Sequence, residues 1–368
     1  MNRREALKYT LTAAASVGLF QTARADEPKP GVEANGRWTV ERAQAWGKKQ
    51  GWIVGCNYVP TYAVNQIEMW QKLTFDPKVI DSELGLVEQT GMNTVRVFIH
   101  DLLWRDQRDA FFGNVRKFFD LCEKHGLKVI FNFFTNGGAE GAVLGPQPAP
   151  KPFVHNSQWR QTPGKEAVMH KPENWSMMED YVMDTMTTFR NDERILFWDL
   201  FNEPANSGNR EMTLGFLKLL WSWARKIDTP FPMTSAIQGY KPTPIASFLV
   251  ENSDVLSFHC YANLDGMKKV VETYKKYNRP LICKEWMARQ KKSTVMDILP
   301  YLKEQNVGAI NWGLIPGKLQ TKYPWGWGPE KGEPDVWFHD LYREDHTPYD
   351  EKEIELFKKL TGKLGNRD

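Results

Sequence analysis

The feature that most constrains the fold of this chain is a rhythm in which short, continuously apolar runs alternate with stretches at helical spacing. The runs fall at residues 52–58, 94–100, 128–134, 195–201, 232–235, 255–261, 280–285 and 308–313. A run that is apolar at nearly every position, rather than every second one, reads as a strand buried on both faces, as in a parallel sheet covered by helices. Between the runs lie helix signals. Asp76-Pro77 is an N-cap and first-turn pair, Ile80, Leu84 and Val87 make one apolar face, and Gly91 is a stop. Val115, Phe118, Phe119 and Cys122 repeat the pattern before Gly126. Eight such units predict an α/β protein built as a single (β/α)8 TIM barrel. A doubly wound open sheet competes with it, but no GxGxxG or GxxxxGK turn follows any run.

The ends of the chain carry different information. Arg3 and Arg4 precede a mildly apolar run over 9–20, and Ala23-Arg24-Ala25 puts small residues around a scissile position. Residues 1–25 therefore read as a twin-arginine-type export signal, with Asp26 as the mature N-terminus and a periplasmic or secreted destination. Residues 26–50 read as a spacer with a short helix over 38–49, and residues 51–368 as the barrel. No other stretch has the roughly 18 uninterrupted apolar residues of a membrane span, so no membrane partner is expected after signal removal. The net charge of +3 is set by the leader, with four bases and one acid, and the remainder is balanced. That balance lacks the basic footprint of a nucleic-acid binder. Cys56, Cys260 and Cys283 lie inside apolar runs and Cys122 on a helical stripe, so all four are expected as buried free thiols. Neither zinc-type Cys spacing nor HExxH occurs, and neither metal nor cofactor is expected.

In a barrel of this kind chemistry gathers at the carboxyl ends of the strands. The segments after the third and eighth runs, 135–175 and 314–350, are far longer than ordinary connections and rich in aromatics. The fourth run ends in WDLFNEP, placing Glu203 at the mouth just before Pro204, and the seventh delivers Glu285 to the same face. Two carboxyl groups sharing one cavity are what glycoside hydrolysis requires: one protonates the leaving oxygen, and the other attacks, or activates water at, the anomeric carbon.

These residues resemble the clan A glycoside hydrolases, most closely glycoside hydrolase family 5, the cellulase and mannanase family. The likeness spans the barrel, and WDLFNEP is its most specific piece. The resemblance implies a secreted retaining β-glycoside hydrolase acting on a carbohydrate substrate, with Glu203 as acid/base and Glu285 as nucleophile. It implies substrate-binding roles for Asn202 at the sugar 2-hydroxyl, for His259 and Tyr261, and for Trp312 under the ring, with Arg96 orienting the nucleophile. Many members carry a His at the end of the third strand, where this chain reads Asn132-Phe133-Phe134. That departure keeps open a catalytically silent carbohydrate-binding barrel.

Strand alternation places His259 and Tyr261 on one face, and Arg96 and Tyr261 within reach of Glu285 if those faces point inward. Such donors favour an ionised Glu285, while the less well paired Glu203 is expected to have a raised pKa. Arg96 is alternatively a structural partner of Asp199, and His259 a satisfied core histidine. Alternation puts Lys284 opposite Glu285, a poor position for the base of a lyase or aldolase. Trp159, Tyr323, Trp325 and Trp327 are candidate sugar platforms or loop anchors, and Asn65, Gln66 and Glu68 line the cleft or cap their loop.

Overall fold

A computed structural model describes residues 30–206 and 208–364, and the export signal expected over 1–25 lies outside the described residues. Among the described residues there are nine strands: β1 (Val54–Asn57), β2 (Thr94–Phe98), β3 (Lys128–Thr135), β4 (Ile195–Asn202), β5 (Met233–Thr234), β6 (Ala236–Gln238), β7 (Leu256–His259), β8 (Leu281–Glu285) and β9 (Gly308–Trp312). Their order is β5-β4-β3-β2-β1-β9-β8-β7-β6, and every pairing is parallel. Because β5 and β6 are consecutive in sequence yet end the order on opposite sides, the sheet curls into a nearly closed barrel.

The single fifth strand expected over 232–235 is thus two short strands reaching to Gln238, broken at Ser235. The break has a cause in the neighbouring strands. The Ser235 hydroxyl accepts from the Phe201 N–H at 2.9 Å, and its carbonyl accepts from the Ser257 hydroxyl at 3.1 Å, so side chain and carbonyl bridge to the neighbouring strands. The β1–β2 seam is tight: a Cβ on Gly55 would sit 1.9 Å from the Thr94 carbonyl oxygen, which only glycine avoids.

Helices cover the outside. Pro77–Thr90 begins at Asp76, whose side chain accepts from the Lys78 and Val79 N–H groups, and ends at Gly91 in the left-handed region (φ 85°). Asp101–Lys124 carries Val115, Phe118, Phe119 and Cys122 into the core. The first helix, Val40–Gln50, starts at Thr39 and packs Trp46 against Ile53, Ile130, Leu196, Phe197, Val255, Ile282 and Ile310, near the amino ends of the strands. That end is an apolar floor. All four cysteines are free and buried. No described helix is long and apolar enough to cross a membrane.

The segments after β3 and β9 contain only short helical turns, Lys165–Met169, Pro172–Asn174 and Pro329–Lys331. They are stitched to each other. Asn156 N–H donates to the Leu319 carbonyl at 2.9 Å, Phe153 N–H to Gln320 Oε1 at 2.9 Å, and Gln320 Nε2 to the Lys151 carbonyl at 2.7 Å. The loop after β1 joins them, with Asn65 Nδ2 donating to Gln147 Oε1 at 2.9 Å and Lys318 Nζ 2.5 Å from Glu68 Oε1.

Candidate active site

Strand β4 carries Glu203 to the mouth through an unusual turn. Its backbone adopts φ 49°, a left-handed conformation that a non-glycine residue holds at a cost of about 1 kcal/mol or more. Pro204 then opens the turn Pro204–Asn206, and Asn136 Nδ2 donates to the carbonyls of Glu203 at 3.3 Å and Pro204 at 3.0 Å, bracing it. Glu203 Oε2 accepts from Asn206 Nδ2 at 2.6 Å, and Oε1 lies 2.9 Å from His259 Nδ1. Burial raises the Glu203 pKa above the ordinary carboxylic value.

Glu285 has a different environment. Its Oε1 accepts from Arg96 Nη1 at 2.9 Å, and Oε2 accepts from the Tyr261 hydroxyl at 2.8 Å and lies 3.3 Å from His259 Nδ1. Burial, reinforced by Glu285 itself, pushes the Tyr261 phenol well up, so it stays a donor. Burial brings His259 down to about 3, so the imidazole bridges the two carboxylates as a neutral ring. An oxygen of Glu203, an oxygen of Glu285 and a ring nitrogen of His259 all lie within 4.8 Å of one another. Such a set could receive a cation, although here its atoms already satisfy one another.

Arg96, wholly buried, is the hub. Nε donates to Asp199 Oδ2 at 2.7 Å, Nη1 to Asn57 Oδ1 at 2.7 Å as well as to Glu285, and Nη2 to Asn202 Oδ1 at 2.6 Å. Arg96 therefore serves Asp199 and Glu285 together. Burial works against the Asp199 charge, but Lys284 and Arg96 outweigh it and hold the carboxyl below its usual range. The expected position of Lys284 is corrected: it is buried in the barrel beside Glu285's network, with Nζ 2.5 Å from Asp199 Oδ1. The β7–β8 register passes from Phe258 opposite Cys283 to His259 opposite Glu285, so a β-bulge at Lys284 breaks the alternation and brings both neighbours inward.

The cleft above the pair has a volume of about 370 Å³. Trp312, flanked by Phe98 and Trp159 with ring centroids 5.7 and 6.4 Å away, lines it. The aromatic residues of the long loops divide. Trp159 and Trp325 line the cleft, with Trp325 47% exposed, whereas Tyr323 is buried and bonds Glu333, and Trp327 Nε1 donates to the Gly332 carbonyl. Asn65, Gln66 and Glu68 brace loops and do not line the cleft. Near Glu203 the walls continue into a second cavity of about 170 Å³ that shares Asn136, Gly137 and Asn206 with the first.

Sequence reasoning missed Asn57, Asn136, Asn206 and His155. Each is a single polar residue without a motif. His155 Nδ1 donates to the Tyr323 carbonyl at 2.8 Å while its ring lines the cleft, and burial brings it down to about 4.

Residues 74–298 match the sequence model of the family described as glycosyl hydrolases family 2, TIM barrel domain. No curated protein matches the chain by sequence. Among solved structures the chain is similar to GH5_18 from Streptomyces cattleya in complex with GlcNAc, at 13% identity over 86% of this chain and 81% of that one, TM-score 0.58. It is also similar to an exo-β-1,4-mannosidase from Opitutaceae bacterium strain TAV5 (16% identity, 90% and 62% covered, TM-score 0.57). A β-mannanase from the blue mussel Mytilus edulis is a third neighbour (12% identity, 71% and 86% covered, TM-score 0.54). With the family model spanning more than half of the chain, the protein belongs to the glycosyl hydrolase family 2 TIM barrel domain family, among the clan A glycoside hydrolases.

Proposed function

We propose that this protein is an exported, retaining β-glycosidase that removes sugar units from the ends of β-linked glycans or oligosaccharides. The observation that carries the reading is a pair of carboxyl groups in opposed environments, with oxygens within 4.8 Å, at one pocket. Retaining glycosidases place their carboxyl groups about 5 to 5.5 Å apart, and inverting ones leave roughly 6.5 to 9.5 Å for a water. Glu203, its proton favoured by burial, donates that proton to the glycosidic oxygen as the bond to the anomeric carbon breaks. Glu285 attacks that carbon and forms a covalent glycosyl ester, oriented by Arg96 and Tyr261. Water then enters, gives a proton to Glu203, and displaces Glu285. Trp312 offers an apolar face to the sugar ring, and Asn202, fixed through Oδ1 by Arg96, keeps an amide N–H for a hydroxyl. A cleft equipped for both protonation and attack supports turnover over silent binding.

The mode of attack follows from the walls. The loops joined to each other carry Trp159 and Trp325 into the cleft beside Trp312, and the second cavity continues it past Asn206, which bonds Glu203, where the leaving group would sit. One bound sugar end and an extended leaving group suit exo action. Export rests on the Arg3-Arg4 leader.

A panel of β-linked manno-, gluco-, xylo- and N-acetylglucosaminyl oligosaccharides, including the Manβ1-4GlcNAc bound by a structural neighbour, tests this. The expected outcome is one terminal sugar unit released from the earliest times, first with the β configuration by NMR. Replacement of either Glu203 or Glu285 by Gln should lower kcat/KM on the order of a thousandfold or more with the fold retained. Inverted product, random internal cleavage, or full activity in both variants would overturn it.

A further inference from the structure

We propose that Lys284 is a positioning residue for hydrolysis, neutralising Asp199 so that Arg96 commits its charge to Glu285. The proposal rests on Glu285 being the nucleophile. Four charged groups form a chain that turns back on itself: Lys284 Nζ lies 2.5 Å from Asp199 Oδ1, Arg96 Nε donates to Asp199 Oδ2 at 2.7 Å, and Arg96 Nη1 donates to Glu285 Oε1 at 2.9 Å. Lys284 and Asp199 have no solvent exposure. Asn57 locks the arrangement, because its Nδ2 donates to the Lys284 carbonyl at 2.7 Å while its Oδ1 accepts from Arg96. The bulge that turns Glu285 to the cleft is therefore anchored by the residue that also holds Arg96.

Charge balance gives this geometry its consequence. In the starting state that the proposed mechanism requires, with Glu203 as proton donor, Glu285 as nucleophile and His259 neutral, the cluster holds two cations, Arg96 and Lys284, against two anions, Asp199 and Glu285. Take away the ammonium charge, and one guanidinium must serve two buried carboxylates. An unpaired buried charge is costly, and protonation of a carboxylate relieves it. Asp199, wholly buried and left with Arg96 as its only cation, draws on the guanidinium it shares with Glu285, so less of that charge is left to hold the nucleophile ionised and oriented. Forming the ester removes the Glu285 charge as Glu203 gives up its proton, and the balance survives only while Lys284 stays charged. The groups facing Lys284 are Asp199 and Glu203 from β4 and its end, Arg96 from β2, His259 from β7 and Glu285 from its own strand. Burial brings the Lys284 pKa down to about 7 against the pull of Asp199, so the cation persists on the acid side of neutrality.

The test is the pH profile of kcat/KM for the wild type, Lys284→Met and the double variant Asp199→Asn/Lys284→Met, with folding followed by circular dichroism. The substrate is the oligosaccharide that the wild type turns over best. Lys284→Met should lower kcat about 10- to 100-fold, leave KM within about threefold, and displace the acid limb upward by about one pH unit. The double variant, which removes the orphaned carboxylate, should recover at least about tenfold and return the acid limb toward the wild type. It should do so even if Lys284→Met alone does not fold. A folded Lys284→Met with an unaltered acid limb overturns the proposal, as does a folded double variant with no activity. Absence of Glu285-dependent turnover in the wild type overturns the glycosidase reading itself, and this proposal with it.

Discussion

The two ends of the barrel solve opposite problems with the same strands. At the amino ends, Ile53, Ile130, Phe197, Ile282 and Ile310 fill the interior, and Trp46 closes it from below, its ring 6.4 Å from Phe197 in an edge-on contact. A few residues further along, the positions hold Arg96, Asp199, Lys284 and Glu285. The floor gains stability from transfer of apolar surface, at about 25 cal/mol per Å². The upper layer gains little, because desolvating its charges offsets most of their attraction. Its value is positional. It holds two carboxyl groups a few ångströms apart in unlike surroundings, Glu285 on Arg96 and Tyr261 and Glu203 on Asn206 and His259, which an apolar layer could not do.

The contrast can be broken at its strongest point. Arg96→Met leaves Asp199 and Glu285 without their shared partner, and should destabilise the protein by about 3 to 5 kcal/mol as well as abolish hydrolysis. Urea unfolding measures the first effect, and a loss below about 1 kcal/mol would show that the layer reorganises freely. At the floor, Trp46→Ala removes a half-buried ring and should cost about 1 to 2 kcal/mol in the same assay, with kcat/KM within about twofold of the wild type. A large catalytic effect there would mean that the two ends are coupled.

The smallest effect sharpens the comparison within the mouth. Asp199 has two cations in contact and its pKa is lowered, whereas burial pushes Asp340 up to about 7, with the Thr321 hydroxyl 2.9 Å from both carboxylate oxygens. For Asp340 the folded state holds a proton that the unfolded chain releases above its ordinary value of 3.8. Its contribution is therefore complete below that value and is lost as pH rises toward 7, the reverse of Asp199, whose contribution is lost as pH falls. Asp340→Asn should flatten the decline in Tm between about pH 4.5 and 7.5. An unchanged slope would mean that Asp340 ionises freely in the fold.

Much of this was legible in the residue order. Asp76 and Gly91 marked the helix they cap, because capping is a local exchange of hydrogen bonds between a side chain and the nearest backbone. The carboxylates at the ends of β4 and β8 stood out because a charge closing an apolar run is expensive without a partner. The position of Lys284 was not legible. Strict alternation turned it away from Glu285, and the bulge that places both inside is set by registry against β7, on another part of the chain. The break at Ser235 has the same origin in bonds to Phe201 and Ser257. The loop aromatics could not be sorted either, since Trp325 reaches the cleft and Trp327 pins its own turn within three residues of each other.

By itself, then, the sequence determined the class of fold, the rhythm of strands and helices, and which two carboxylates stand at one mouth, because each depends on periodicity and on the local cost of exposing or burying a side chain. Tertiary structure alone decided that Lys284 joins the charge network and that the loops after β1, β3 and β9 knit into a wall. Those outcomes depend on hydrogen bonds and ion pairs between residues up to 250 positions apart, such as Glu68 and Lys318, whose partners exist only once the barrel has closed.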